Sequence, residues 1–169
     1  REETTTFTLI PMVKEKIKIP LIAAGGIATG RGMLAAMVLG ADGVQVGSRF
    51  AASMESSAHE NFKKKILETK EGETQVTLKE LAPVRLIKNK FYQDVQELYA
   101  KCPTKEELST LLGRARAKHG MFEGDLDEGE LEIGQIAGLI HEIKPVAEII
   151  SDMITDFNLA RKEIEKFDF

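Results

Sequence analysis

The 169-residue sequence is short of the residues that mark several classes of protein. It has a single cysteine, which excludes an intrachain disulfide and a metal site built from clustered thiolates. Basic residues do not predominate, since 23 Lys and Arg stand against 27 Asp and Glu for a formal net charge of -4. No apolar run reaches the roughly 18 residues that a membrane span needs. These absences predict a cytoplasmic protein whose partners are neither nucleic acids nor membranes.

The chain also lacks an initiator methionine and the apolar core of a signal peptide. Its first six residues are polar and lead directly into a helical pattern. This beginning predicts a piece of a longer protein.

The pattern of apolar residues divides the chain into two parts. In residues 1–54, continuous apolar runs at 20–24 and 43–46 predict two buried strands, and Thr29 to Gly40 predicts a helix between them. A strand, a helix and a strand form a βαβ unit, from which parallel sheets are built. Residues 55–169 predict a mostly helical annex that packs on this first part.

Several elements are expected within the annex. The first helix, at 57–69, would turn Lys63, Lys64 and Lys65 mostly toward solvent. Short strands are expected near Val76 and Val84. Further helices are expected at 91–101, 104–118, 134–140 and 145–167.

The two strands are too few to form a stable sheet by themselves. A (β/α)₈ barrel takes about 250 residues, so the remaining strands would come from sequence outside this chain. The fold expected here is therefore α/β, namely strands 7 and 8 of a TIM barrel followed by the helical annex.

Both predicted strands end in glycine turns, Gly25-Gly26 after the first and Gly47-Ser48 after the second. Glycine lets backbone N–H groups approach an anion closely, and the start of the next helix would add free N–H groups of its own. Two such turns in succession match the phosphate site of TIM barrels. The spacing fits neither a P-loop nor a Rossmann fingerprint. The alternative is that the glycines serve only as tight turns.

Two segments carry a family resemblance: residues 20–27 (PLIAAGGI) and 39–50 (LGADGVQVGSRF). They resemble the nitronate monooxygenase (2-nitropropane dioxygenase) superfamily of FMN-dependent TIM barrels, which includes the flavoprotein enoyl-[acyl-carrier-protein] reductase II. Residues 55–63, 84–89, 124–127 and 134–140 look especially like the reductase branch.

The resemblance implies how this chain would bind FMN. Gly25 and Gly26 would hold the FMN phosphate from one side, and Gln45, Gly47 and Ser48 from the other. The catalytic histidine of the family follows its sixth strand and would lie upstream of Arg1, so no residue of this chain is given a catalytic or metal-binding role.

The activity implied first is that of the reductase. NADH or NADPH would reduce a trans-2-enoyl thioester through FMN, in fatty acid biosynthesis. The substrate would be a small molecule or be linked to acyl carrier protein, and the enzyme would be a homodimer.

Other functions stay open at this point. One is a nitronate monooxygenase that oxidises alkyl nitronates with O₂. Others are a phosphate-binding barrel without flavin, and a fragment with no catalytic role. The histidines are expected to be structural, with His59 capping the helix that follows it.

Overall fold

The computed structural model describes residues 4–166, which form eight α-helices, one 3₁₀ helix and four strands. The first five elements are α1 (Thr6–Lys14), β1 (Ile22–Ala24), α2 (Gly30–Val38), β2 (Gly43–Gln45) and α3 (Ser48–Ala51). The next four are α4 (Glu60–Glu68), β3 (Thr74–Thr77), β4 (Val84–Ile87) and α5 (Lys90–Tyr99). The last are α6 (Lys105–Leu112), α7 (Arg116–Met121), the 3₁₀ helix (Gln135–Leu139) and α8 (Val146–Ile164).

These elements form two compact units. The first unit comprises the described residues up to Glu55 together with those from Lys144 onward, and the second unit comprises Ser56–Ile143. The division after residue 55 falls beside the sequence boundary at 54, but the terminal helix α8 belongs to the first unit and not to the annex.

The first unit is built around the parallel pair β1 and β2, with Ala23 opposite Val44. One face of β1 is covered, because Ala23 is buried together with residues of α1 and α2. The other face is open, and the side chain of Ile22 is 56% exposed. The prediction of a strand buried on both faces is therefore wrong within the described residues.

Asp42 fixes the connection into β2. Its backbone N–H donates to the carbonyl of Leu21 at 2.7 Å, and its Oδ2 accepts the N–H of Leu21 at 2.8 Å. The same oxygen accepts from Lys14 Nζ at 2.7 Å, and these bonds lower the pKa of the Asp42 carboxyl. One side chain thus links the end of α1 to the parallel pair.

Helix α8 packs against α2 at very close range. A Cβ placed on Gly30 would lie 2.1 Å from the carbonyl oxygen of Met153 and 2.2 Å from the nitrogen of Phe157. Only glycine allows this backbone approach, so the first residue of α2 is specified by its contact with α8.

The second unit has a two-stranded antiparallel hairpin, β3 and β4, in which Thr74 pairs with Ile87. Helices α5 and α6 cover the hairpin through a core whose members are almost fully buried. This core comprises Leu78, Leu86, Phe91, Val95 and Leu108.

Asn89 connects the start of α5 to the acidic loop at 123–129 in the second unit. Its Oδ1 caps α5 by accepting the N–H of Tyr92 at 3.0 Å. Its Nδ2 donates to the carbonyls of Leu126, Asp127 and Gly129 at 2.9, 3.0 and 2.8 Å. The acidic loop at 123–129 is therefore held by a half-buried side chain as well as lying at the surface.

Three expectations for the annex need correction. The helix expected at 104–118 is broken, because Gly113 and Ala115 both have positive φ and separate α6 from α7. The segment at 134–140 forms a 3₁₀ helix and not an α-helix. Lys63 is buried, although it was expected to face solvent, and its Nζ lies 3.3 Å from the carboxylate of Glu60.

Candidate functional site

The candidate site lies where β1 and β2 end. The parallel register places Ala24 opposite Gln45, the last residue of each strand. The turns that follow the two strands therefore leave from the same edge of the pair. The structure brings together the two halves of the site that the sequence predicts, and Gln45 is exposed at its centre.

The first turn has the backbone that the glycine pair was expected to allow. Gly25 has φ +99° and Gly26 has φ +72°, a region that other residues enter at a cost. A Cβ built on Gly26 would meet no described atom within 4 Å. The space above this turn is therefore open to a ligand.

The second turn is similarly open. Gly47 is exposed, and a Cβ built there would also meet no atom of residues 4–166 within 4 Å. Gly47 is the residue before α3, and Ser48 is the first residue of that helix and is half-buried. Backbone amides and one hydroxyl can thus approach an anion from this side.

The start of α2 differs from the expectation. The N–H of Arg31 donates to Asp156 Oδ2 at 2.8 Å, and the N–H of Gly32 donates to Thr29 Oγ1 at 3.0 Å. Thr29 is the N-cap that the sequence predicts. These two amides already have acceptors, so the prediction that the helix start offers free N–H groups is wrong for them.

Charged side chains near this turn are paired with one another. The guanidinium of Arg31 lies 2.7 Å from Glu163 Oε2 and 3.4 Å from Asp156 Oδ1. Both carboxylates belong to α8. The groups that the two turns offer to a ligand are backbone amides and a serine hydroxyl. Such hydrogen-bond donors suit a phosphate group.

Sequence reasoning missed Thr6 and Asp156 as part of this region. Thr6 Oγ1 donates to the carbonyl of Gly25 at 3.0 Å, and Asp156 reaches the start of α2 from 125 residues away. A threonine near a helix start indicates only a local cap. Nothing in the sequence pattern indicates that Asp156 contacts α2.

Two of the three histidines have local structural contacts. His59 caps α4, because its Nδ1 accepts the N–H of Asn61 at 3.1 Å, and the capping prediction is confirmed. His119 lies in the last turn of α7, where its Nδ1 is 2.5 Å from Glu123 Oε2. Within residues 4–166, no group of three or more His, Cys, Asp or Glu side chains is placed to hold a metal ion.

Glu130 is the described group with the largest pKa change, and it lies in the second unit. Its side chain is 8% exposed. Burial raises the pKa of its carboxyl to about 7; the nearby Glu132 adds to this increase, and Arg116 opposes it. Glu130 lies outside the strand-end site.

None of the helices in the described part of the chain has the length and apolar character to cross a membrane.

Several solved structures are similar to this chain. FabK from Thermotoga maritima is 41% identical with a TM-score of 0.88, and the match covers 97% of this chain and 52% of that one. Nitroalkane oxidase from Streptomyces ansochromogenes is 27% identical with a TM-score of 0.74, over 94% of this chain and 45% of that one. Together with the βαβ unit, these similarities define the class as α/β.

Curated proteins from staphylococci identify the family. A "Probable nitronate monooxygenase" from Staphylococcus saprophyticus is 35% identical over 154 residues, which are 90% of this chain and 43% of that protein. A homologue with the same name from Staphylococcus aureus is 34% identical over 157 residues. The family profile for nitronate monooxygenase matches residues 1–156.

This chain belongs to the nitronate monooxygenase family, and the family resemblance in its sequence is confirmed. It spans about half the length of the relatives that it matches.

Proposed function

We propose that this chain is the part of an FMN-dependent oxidoreductase that binds the phosphate of the flavin. In this proposal, β1 and β2 are the last two strands of a (β/α)₈ barrel. The FMN phosphate lies above the turns that follow them and contacts Gly25, Gly26, Gly47 and Ser48, with Gln45 beside it.

The two adjacent, open glycine turns are the observation that carries this proposal. Gly26 and Gly47 have no described atom within 4 Å of a built Cβ, and both are exposed at one edge of the parallel pair. Gly72 is equally open among the described residues, so open space alone does not distinguish a ligand site. The position of both open turns at adjacent strand ends, beside the exposed Gln45, is what favours a phosphate here.

The reaction that we propose is the reduction of trans-2-enoyl thioesters by NADH or NADPH. Bound FMN would supply the redox chemistry, the transfer of a hydride from the nicotinamide to the β-carbon of an enoyl group whose α-carbon takes up a proton. The residues of this chain bind and orient the phosphate tail and thereby fix the cofactor's position. Support comes from the 41% identity to FabK, compared with 27% to nitroalkane oxidase.

The second candidate is a nitronate monooxygenase, which would oxidise alkyl nitronates with O₂. It is favoured by the curated staphylococcal relatives with that name. The phosphate site serves both candidates equally.

The test uses the complete gene product that contains these residues. Its absorbance spectrum should show a bound flavin, and anaerobic NADH or NADPH should bleach that flavin. Crotonyl thioester should then restore the oxidised spectrum. Consumption of an alkyl nitronate and O₂, with no bleaching by NADH or NADPH, would support the second candidate. A colourless protein that does not take up FMN would overturn both.

A further inference from the structure

The turn at Gly25 and Gly26 is anchored on two sides by helices that are distant in the sequence. On one side, Thr6 Oγ1 in α1 donates to the carbonyl of Gly25 at 3.0 Å. On the other side, Asp156 Oδ2 in α8 accepts the N–H of Arg31 at 2.8 Å, in the first turn of α2. Between these anchors, Ile27 and Ala28 are buried, and Gly25 and Gly26 are exposed.

The anchor on α8 is rigid. Close contact between Gly30 and the backbone of α8 leaves no room even for a Cβ. Asp156 adds a charge-assisted bond to the amide of Arg31, and the Arg31 side chain is drawn to the same helix by Glu163 at 2.7 Å. The first turn of α2 therefore cannot shift without disturbing α8.

Between the anchors, the backbone is intrinsically flexible. Gly25 and Gly26 both lack a side chain and have positive φ, and glycine loses more conformational freedom on ordering than other residues. A turn that is ordered before its ligand arrives binds that ligand more tightly, because the ordering cost has already been met.

We infer that Thr6 and Asp156 are positioning residues for the phosphate of FMN. They hold the turn so that its amides converge on one place, and they do so without contacting the cofactor. This inference rests on the proposed function.

The test compares affinities for FMN and for riboflavin, which lacks the phosphate. The variants are Thr6→Val, Asp156→Asn and Asp156→Ala, made in the complete gene product after removal of its flavin. Dissociation constants are measured from the quenching of flavin fluorescence. We expect Thr6→Val and Asp156→Ala to weaken FMN binding by about tenfold and to leave riboflavin binding unchanged. Asp156→Asn should lie between them and the wild type, because its amide oxygen still accepts a hydrogen bond.

Two control variants match these in residue type and location. Thr5→Val removes a neighbouring hydroxyl whose described contact is Thr8, at 3.4 Å. Asp152→Asn changes a carboxylate on the same helix whose described partner is Lys144, at 2.8 Å. Both controls should bind FMN as the wild type does.

The outcomes separate a positioning role from general stability. Equal weakening of FMN and riboflavin would mean that the variants damage the fold, and it would overturn the inference. Unchanged FMN affinity would overturn it, as would tighter binding in Asp156→Ala, since that would make Asp156 a repulsive charge. Each of these results leaves the proposed function standing. A wild-type protein that binds no FMN removes the proposed function and the inference together.

Discussion

Gly26 has both a backbone conformation that favours glycine and open space in which a ligand could bind. Its φ of +72° lies in the left-handed region, where a β-branched residue is a genuine outlier. We expect Gly26→Val to abolish retention of FMN, because the turn must change shape and because the new side chain would occupy the open space above it. Flavin content after purification and the FMN dissociation constant measure this effect.

Gly72 provides the control for this substitution. It has φ +78° and, like Gly26, no described atom within 4 Å of a built Cβ. Gly72→Val should therefore lower the free energy of unfolding by about 1–2 kcal/mol, as Gly26→Val does. The flavin should nevertheless be retained. Normal flavin content in Gly26→Val would show that its turn serves the architecture alone.

Glu130 makes stability depend on pH. Its carboxyl titrates at about 7 in the fold because it is buried, compared with an ordinary value of 4.5. The folded state therefore binds more protons than the unfolded state between these values, and stability falls as pH rises from about 4.5 to 7. Glu130→Gln stays neutral, so we expect it to be more stable than the wild type by about 1–3 kcal/mol at pH 8 and similar at pH 4.5.

Urea unfolding of the complete gene product at pH 4.5, 6, 7 and 8 tests this expectation, with the exposed Glu71→Gln as the control. If Glu130→Gln retained the full pH dependence of the wild type in this range, another group would have to carry the effect.

At the scale of elements, Asn89 joins the start of α5 to the loop at 124–129. Asn89→Ala should lower the free energy of unfolding by about 2–4 kcal/mol, because a cap and several carbonyl partners are lost together. Asn89→Asp separates the cap from the bonds to the loop. Aspartate is a good N-cap but its carboxylate cannot donate to the three carbonyls, so it should destabilise about as much.

Thermal and urea unfolding of the complete gene product measure both variants. Asn158→Ala is the comparison, since its amide donates to Ile154 on an exposed face of α8 at 2.9 Å, and its effect should be small. Wild-type stability in Asn89→Asp would show that the cap alone matters.

At the scale of the whole molecule, the first unit leaves large apolar side chains exposed. Phe7, Ile19 and Val38 are 71%, 69% and 72% exposed, and Ile22 on the open face of β1 is 56% exposed. Exposed apolar side chains promote association when they form patches on the surface. We expect the 169-residue chain, expressed by itself, to bind the dye ANS and to aggregate or remain molten.

Light scattering, ANS fluorescence and calorimetry test that expectation. The double variant Ile22→Thr with Val38→Thr should scatter and bind the dye less than the unchanged chain. A monodisperse chain with a cooperative thermal transition and little ANS fluorescence would contradict the prediction.

The sequence by itself determined the features that depend on neighbouring residues. The βαβ order, the cap at Thr29 and the glycine turns follow from local rules of backbone geometry and hydrogen bonding. The same segments carried the family resemblance, so the predicted site at Gly25, Gly26, Gln45, Gly47 and Ser48 could be placed at two adjacent strand ends before the structure was known.

Only the tertiary structure decided which groups are brought together from distant parts of the chain. The pairing of Asp156 with Arg31, the bond from Thr6 to Gly25, and the burial of Lys63 depend on how elements pack. Helical periodicity indicates which face of a helix is apolar but not which partner covers it. For that reason the sequence located the two glycine turns, while the packing of α1 and α8 determined the contacts of Gly25 and of the start of α2.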